Sequence, residues 1–215
     1  MARVHPSFIL TTSLSDLTWR RRRFLIAVLG TSLVFALTLL LSGFLAHFTL
    51  ELDRTLGALD SEGFVIRAGT PGPFTSLAPF DASVSDEVAA LPGVRKASPV
   101  ATIRQTIPGD TPLEVFVIGH TAGGLGSPPV TEGRPAAGPE EIVLDTSAGY
   151  VHGERVTLGG RSLRVTGVVD GLSVGGGLPN AYVDIGEAQQ LVFEGLPLAT
   201  SVLVQGRPES LPDGF

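Results

Sequence analysis

Cysteine is absent from this 215-residue chain. That removes a disulfide framework, a cysteine-ligated metal and a thiol nucleophile from consideration. It leaves the compartment open, because an exported domain without cysteine is permitted. Lysine is nearly absent too: Lys96 stands alone against fourteen arginines. The four histidines His5, His47, His120 and His152 show no metal-ligand spacing with one another, and a lone loop histidine is ordinarily just exposed. No serine occupies a nucleophile-elbow motif. Gly175-Gly176-Gly177 is followed by neither a Lys-Ser/Thr pair nor G-x-G-x-x-G, so it reads as a flexible loop and not a phosphate cradle. Glu140-Glu141 and Asp86-Glu87 are adjacent carboxylates. Neighbours on a strand face opposite ways, so solvated surface is the better reading for both pairs. No catalytic, cofactor-binding or metal-binding residue is assigned, no cofactor is implied, and the chain is not expected to be an enzyme.

Charge is missing from one long stretch. Residues 24–48 carry no Asp, Glu, Lys or Arg, although the whole chain has 15 basic and 21 acidic residues. The 43% hydrophobic content and mean hydropathy of +0.32 have their cause there. About 20 apolar residues at roughly 1.5 Å each cross a bilayer, and this run exceeds that. Arg20 to Arg23 abut its start, beside Trp19, while Glu51 and Asp53 follow its end. Five arginines against Asp16 give the N-terminal segment +4, and ten basic against twenty acidic residues give the remainder −10. The positive-inside bias predicts a cytoplasmic N-terminus in a cell (inner or plasma) membrane, with the main domain extracytoplasmic. The rival is a cleaved signal peptide, whose apolar region is shorter, about 7–15 residues; small residues between Ser42 and Ala46 resemble a cleavage site. Thr38, Ser42 and Ala46 share one helical face. They mark either a close helix–helix contact in lipid or the ordinary small-residue content of such helices. Residues 10–19 form either an interfacial helix or a frayed start of the span. The acidic remainder argues against nucleic acid as a partner.

Past the span, Leu52, Leu56 and Leu59 keep nearly helical spacing, so the helix extends outward as a stalk. Residues 64–67 read as a strand and 69–79 as a Gly/Pro loop. Residues 85–91 read as a short helix capped by Ser85 or Ser83 and ended by Pro92-Gly93. Residues 100–107 and 113–119 form a hairpin across Pro108-Gly109-Asp110. Residues 141–145 are a strand, followed by a helical turn around 146–150. Residues 156–158 and 163–169 flank Gly159-Gly160, the strongest hairpin signal. A strand at 181–185, a helix at 186–193 and a strand at 200–204 complete an α+β domain with a mostly antiparallel sheet. The organisation is a cytoplasmic segment (1–23), a transmembrane helix (24–48), a stalk or linker (49–62), the outer core domain (63–206) and a C-terminal tail (207–215).

The order of short motifs carries a resemblance. After Trp19-Arg20-Arg21-Arg22-Arg23-Phe24-Leu25 come Ala90-Leu91-Pro92-Gly93-Val94, Glu132-Gly133-Arg134-Pro135, Glu140-Glu141-Ile142-Val143-Leu144-Asp145, Gly153-Glu154-Arg155-Val156-Thr157-Leu158 and Leu163-Arg164-Val165-Thr166-Gly167-Val168-Val169. This resembles FtsX-like, MacB-like ABC transporter permeases with a MacB-like periplasmic core domain, from about residue 14 to about 205. Glu154 replaces the Asp usual in that family pattern. The resemblance implies fold-determining residues and no catalytic ones. It implies as partners a cytoplasmic ABC ATPase subunit, further permease helices or a second permease copy, and membrane lipid. The ATPase would drive export or extraction of a substrate through the permease. Family permeases continue into three more membrane helices, so the chain is expected to be a fragment or to borrow those helices. The alternative function is a stand-alone single-pass binding or sensing module. Candidate protein contacts are the apolar loop around Phe74, Leu77 and Phe80, and the loop from Gly175 to Leu178.

Overall fold

The computed structural model describes residues 21–73, 78–174 and 177–215. The chain divides into two compact units after His47. Helix α1 (Arg21–Ala58) supplies the described part of the first and enters the second with its last turns. Among the described residues, one stretch, Arg21–Thr55, is long and apolar enough to cross a membrane by length and composition. Its large apolar side chains, from Phe24 to Leu50, stand exposed, as a lipid-facing surface requires and a water-facing one does not tolerate. The Thr38 hydroxyl donates to the Val34 carbonyl at 2.8 Å, so it is satisfied inside its own helix.

The second unit, Phe48–Phe215, is an α+β domain. Its strands are β1 (Gly63–Val65), β2 (Phe80–Asp81), β3 (Val94–Ile107), β4 (Leu113–His120), β5 (Glu132–Gly133), β6 (Glu141–Asp145), β7 (Arg155–Leu158), β8 (Arg161–Val169), β9 (Ser173–Val174), β10 (Leu178–Asp184), β11 (Leu198–Ala199) and β12 (Ser201–Gly206). Helices α2 (Val84–Ala89) and α3 (Ile185–Phe193) and a 3-10 turn (Thr146–Ala148) complete it. The main sheet runs β1-β12-β3-β4-β10-β6-β8-β5, with β7 on β8, β9 on β10, and a separate β2–β11 pair. Most pairs are antiparallel, but β4–β10 and β6–β8 are parallel.

Local chemistry explains the segments that the sequence foretold. Gly159 and Gly160 have φ of 54° and 77°, the pair of positive angles that a two-residue hairpin turn needs, and Leu158 faces Arg161 across it. Helix α3 starts where the Asp184 carboxylate accepts the Gly186 N–H at 2.9 Å, an N-cap. The 3-10 turn is capped alike by Asp145 and Ser147 N. Helix α2 departs from expectation. Ser83 is at its N-cap but its side chain makes no capping bond. The Asp81 carboxylate instead accepts the Ser83 N–H, and the Ser85 hydroxyl donates back to Ala82 O.

Strand β3 begins six residues earlier than its sequence pattern predicts. Pro99 lacks an N–H and reads as a breaker. Residues 94–100 pair only with β12, and residues 101–107 pair with β4, so the first half has an unpaired side on which the missing donor costs nothing. The two-residue strands β2, β5, β9 and β11 carry no pattern long enough to foretell.

The motifs meet as structural contacts. Arg134 forms a two-pronged ion pair with Glu141, and the same carboxylate accepts Ala137 N at 3.1 Å. The Glu154 carboxylate accepts Val151 N at 2.9 Å and closes the turn before β7. Glu187, with its side chain 1% exposed, takes Arg161 Nε at 2.5 Å and Glu140 N at 3.1 Å. A buried carboxylate needs such partners; in return Glu187 holds the Arg161 guanidinium pKa above its usual value.

Gly119 on β4 lies against α3 so closely that an added Cβ would meet the Ala188 Cβ at 2.3 Å. Gly119→Ala is therefore expected to destabilise the domain by about 1–3 kcal/mol, the usual cost of overpacking. Urea unfolding measures this, and adding Ala188→Gly in the same chain should recover part of the loss.

Candidate functional site

The C-terminal turn of α1 is built into the domain. Leu59, 1% exposed, joins the cluster of Leu125, Val169, Leu172, Tyr182 and Leu203. Burying one leucine is worth about 1.5–3 kcal/mol. Its carbonyl accepts Gly126 N at 2.9 Å. Asp60, with φ of 51°, takes the left-handed conformation that ends many helices, and its carbonyl accepts Gln205 Nε2 at 3.0 Å. Two residues on, Glu62 pairs with Arg95 and accepts Gly206 N. These contacts hold the Glu62 carboxyl pKa below its ordinary value, Gly206 having the larger effect.

Thr55, one helical turn before Leu59, is fully buried. Its hydroxyl donates to Ser173 O at 3.1 Å and accepts Asn180 Nδ2 at 3.2 Å. Asn180 Nδ2 also donates to Tyr182 Oη at 3.3 Å. Burial pushes the Tyr182 phenol well above tyrosine's usual range; the Asn180 donor opposes this and the Asp145 charge adds to it. The phenol stays neutral at any physiological pH. Asn180 N donates to Leu172 O, and Leu172 N donates to Asp145 Oδ2 at 2.7 Å. A chain of hydrogen bonds thus runs from the helix through β9 and β10 to β6. Beside it lies a groove of about 510 Å³ lined by Arg54, Gly57, Pro129, Asp170 and Gly171.

This arrangement holds no nucleophile–base pair; it grips a helix end. Thr55, Asn180 and Tyr182 were not singled out in the sequence. The available signals were a hydroxyl within the Leu52, Leu56, Leu59 helical pattern and an asparagine inside the apolar run of β10. Of the loop candidates, Phe80 is 3% exposed and stacks edge-on against Phe215, with ring centres 4.9 Å apart. It is therefore core and not a docking surface, because its aromatic face is already covered. Leu178 is half-buried in β10, paired with Val174. Phe74, Leu77, Gly175, Gly176 and His5 lie outside the described residues, as do residues 10–19. His120 is buried at the end of β4 and His152 is exposed in the loop before β7. Among the described residues, no group of three His, Asp or Glu side chains is placed to hold a metal ion.

The sequence model of the MacB-like periplasmic core domain matches residues 24–213. An uncharacterized ABC transporter permease of Mycobacterium tuberculosis strain H37Rv is 36% identical over 208 residues, which cover 96% of this chain and 60% of that protein. A second from the same strain is 34% identical with the same coverage. The chain thus spans 60% of the length of these relatives. The periplasmic region of MacB from Actinobacillus actinomycetemcomitans is similar in fold, with a TM-score of 0.51 at 16% identity over 70% of this chain and 76% of that one.

His120 gives the domain a pH dependence. Its Nδ1 lies 3.3 Å from Thr121 O, and its Nε2 has no hydrogen-bond partner among the described residues. Burial lowers its pKa, and the Thr121 carbonyl and Asp184 charge oppose that only in part. A histidine with a lowered folded pKa contributes stability above its unfolded value, about 6.5, and loses it as pH falls from there toward the folded value. Urea unfolding at pH 7.5 and pH 5.5, above the range where free carboxylates protonate, should show lower stability at the acid value. His120→Gln should flatten that difference.

Proposed function

Because the chain belongs to the family of ABC transporter permeases that carry a MacB-like periplasmic core domain, we propose that it is the N-terminal part of a permease subunit that couples a cytoplasmic ATPase to this domain across the membrane. The observation that carries the reading is the seating of Thr55 and Leu59 in the domain core. A domain that swallows the end of a membrane-length helix responds to movement of that helix, whereas one on a slack linker does not. The arginine collar at residues 20–23 supports a cytoplasmic N-terminus by the positive-inside rule, and with it an extracytoplasmic domain. ATP is bound and hydrolysed by the separate ATPase. Further permease helices or a second permease copy complete the membrane part. The substrate leaves or is extracted under the force that this assembly delivers.

Two experiments test this. Alkaline phosphatase fused after residue 215 should be active in cells, and the same reporter fused at residue 20 inactive; the reverse pattern overturns the orientation. Co-expressed with the remaining spans of a related permease and its ATPase, the chain should purify in one detergent-stable complex that hydrolyses ATP. Robust ATP turnover by the chain alone, or failure to associate, defeats the assignment.

A further inference from the structure

We propose that Thr55, Asn180 and Tyr182 form a release latch, a buried polar contact with one amide atom unmatched by any described protein group, which seats the last turn of α1 in register yet keeps the seat reversible. The inference goes beyond transporter assignment and stands on the geometry of the helix end alone.

Besides the Asp60–Gln205 bond just past it, the helix end has an apolar hold and a polar one. Leu59 supplies an apolar one, with a single backbone bond from Gly126. Thr55 supplies a polar one. An asparagine side chain offers two N–H donors and one acceptor oxygen. Here Nδ2 spends its donors on Thr55 and Tyr182, while the Thr55 proton goes to Ser173 O. Asn180 Oδ1 is buried and has no hydrogen-bond partner among the described residues. Turning the amide over points Oδ1 at Thr55 and Tyr182 and leaves Nδ2 in the unpartnered position instead. Both orientations leave the cluster incomplete.

An incomplete polar cluster in a low-dielectric core holds less firmly than an apolar filling of the same shape. It is also selective, because its hydrogen bonds re-form only when the helix returns to one position, as buried polar residues set register in packed helices. The three side chains therefore lower the cost of unseating the helix while fixing where it reseats.

Hydrogen exchange on the full chain in detergent tests this at Gly126 N, whose bond to Leu59 O reports the seat directly, and at residues 56–60. Thr55→Val strands the Asn180 donor and should speed exchange there at least tenfold. Thr55→Ser keeps the hydroxyl and should stay within about threefold of native, the variation expected from a lost methyl. The apolar triple T55V/N180L/Y182F removes the three polar side chains of the cluster and should exchange at least tenfold more slowly than native. Exchange in the triple as fast as native or faster overturns the proposal, as does a Thr55→Val chain that exchanges like native. Should the triple lose slow exchange throughout β3 and β4, and so fail to fold, a crystal structure of the native chain decides. An ordered water completing the hydrogen bonds of Asn180 Oδ1 overturns the latch, and a dry Oδ1 supports it.

Discussion

The burial of Leu59 and Thr55 fixes how this domain is put together. A helix that ends in solvent leaves its last carbonyls to water. Here the Leu59 carbonyl goes to Gly126 and the Asp60 carbonyl to Gln205, so the helix end closes one side of the core. The cluster around Leu59 draws Val100 from β3, Phe116 from β4, Val143 from β6 and Tyr182 from β10. Four neighbouring strands present one face to it, and their order decides what that face contains.

The quoted motifs and their neighbours make structural contacts within this frame. Arg134 and Glu141 tie the loop after β5 to the start of β6. Glu154 closes a turn, and Asp184 and Asp145 start helical segments. The task of Glu154 is to accept one backbone N–H, which either acidic side chain can do. Glu187 bridges α3 to the β7–β8 hairpin through Arg161 and also takes an amide from Glu140. The Arg134–Glu141 and Arg161–Glu187 pairs each join two segments of the domain.

Much of the fold was legible in the residues. The apolar helix announced itself by its missing charges. The β3–β4 and β7–β8 hairpins were visible because alternation and turn residues act over a few positions. Strand β6 and the turn after it matched the pattern closely, since Asp145 both ends the strand and caps the turn. The reading was weaker at β3, which starts at Val94 and not at residue 100, its first half pairing with β12 alone. It was weaker again at the start of α2, where Ser83 sits at the cap without a side-chain bond and Asp81 accepts the Ser83 N–H. Phe80, read as a loop aromatic, is covered by Phe215 from the far end of the chain.

What the sequence alone determined is local or compositional: a membrane-length helix, an acidic α+β domain, its hairpins and the order of its motifs. These follow from hydropathy, periodicity and turn geometry, which depend on residues close in the chain. The tertiary structure alone decided that β10 slots between β4 and β6 with one parallel neighbour. It also decided that Thr55 meets Asn180, 125 residues away. A contact between such distant residues leaves no periodic trace in either segment, because its cause is the packing of the whole sheet.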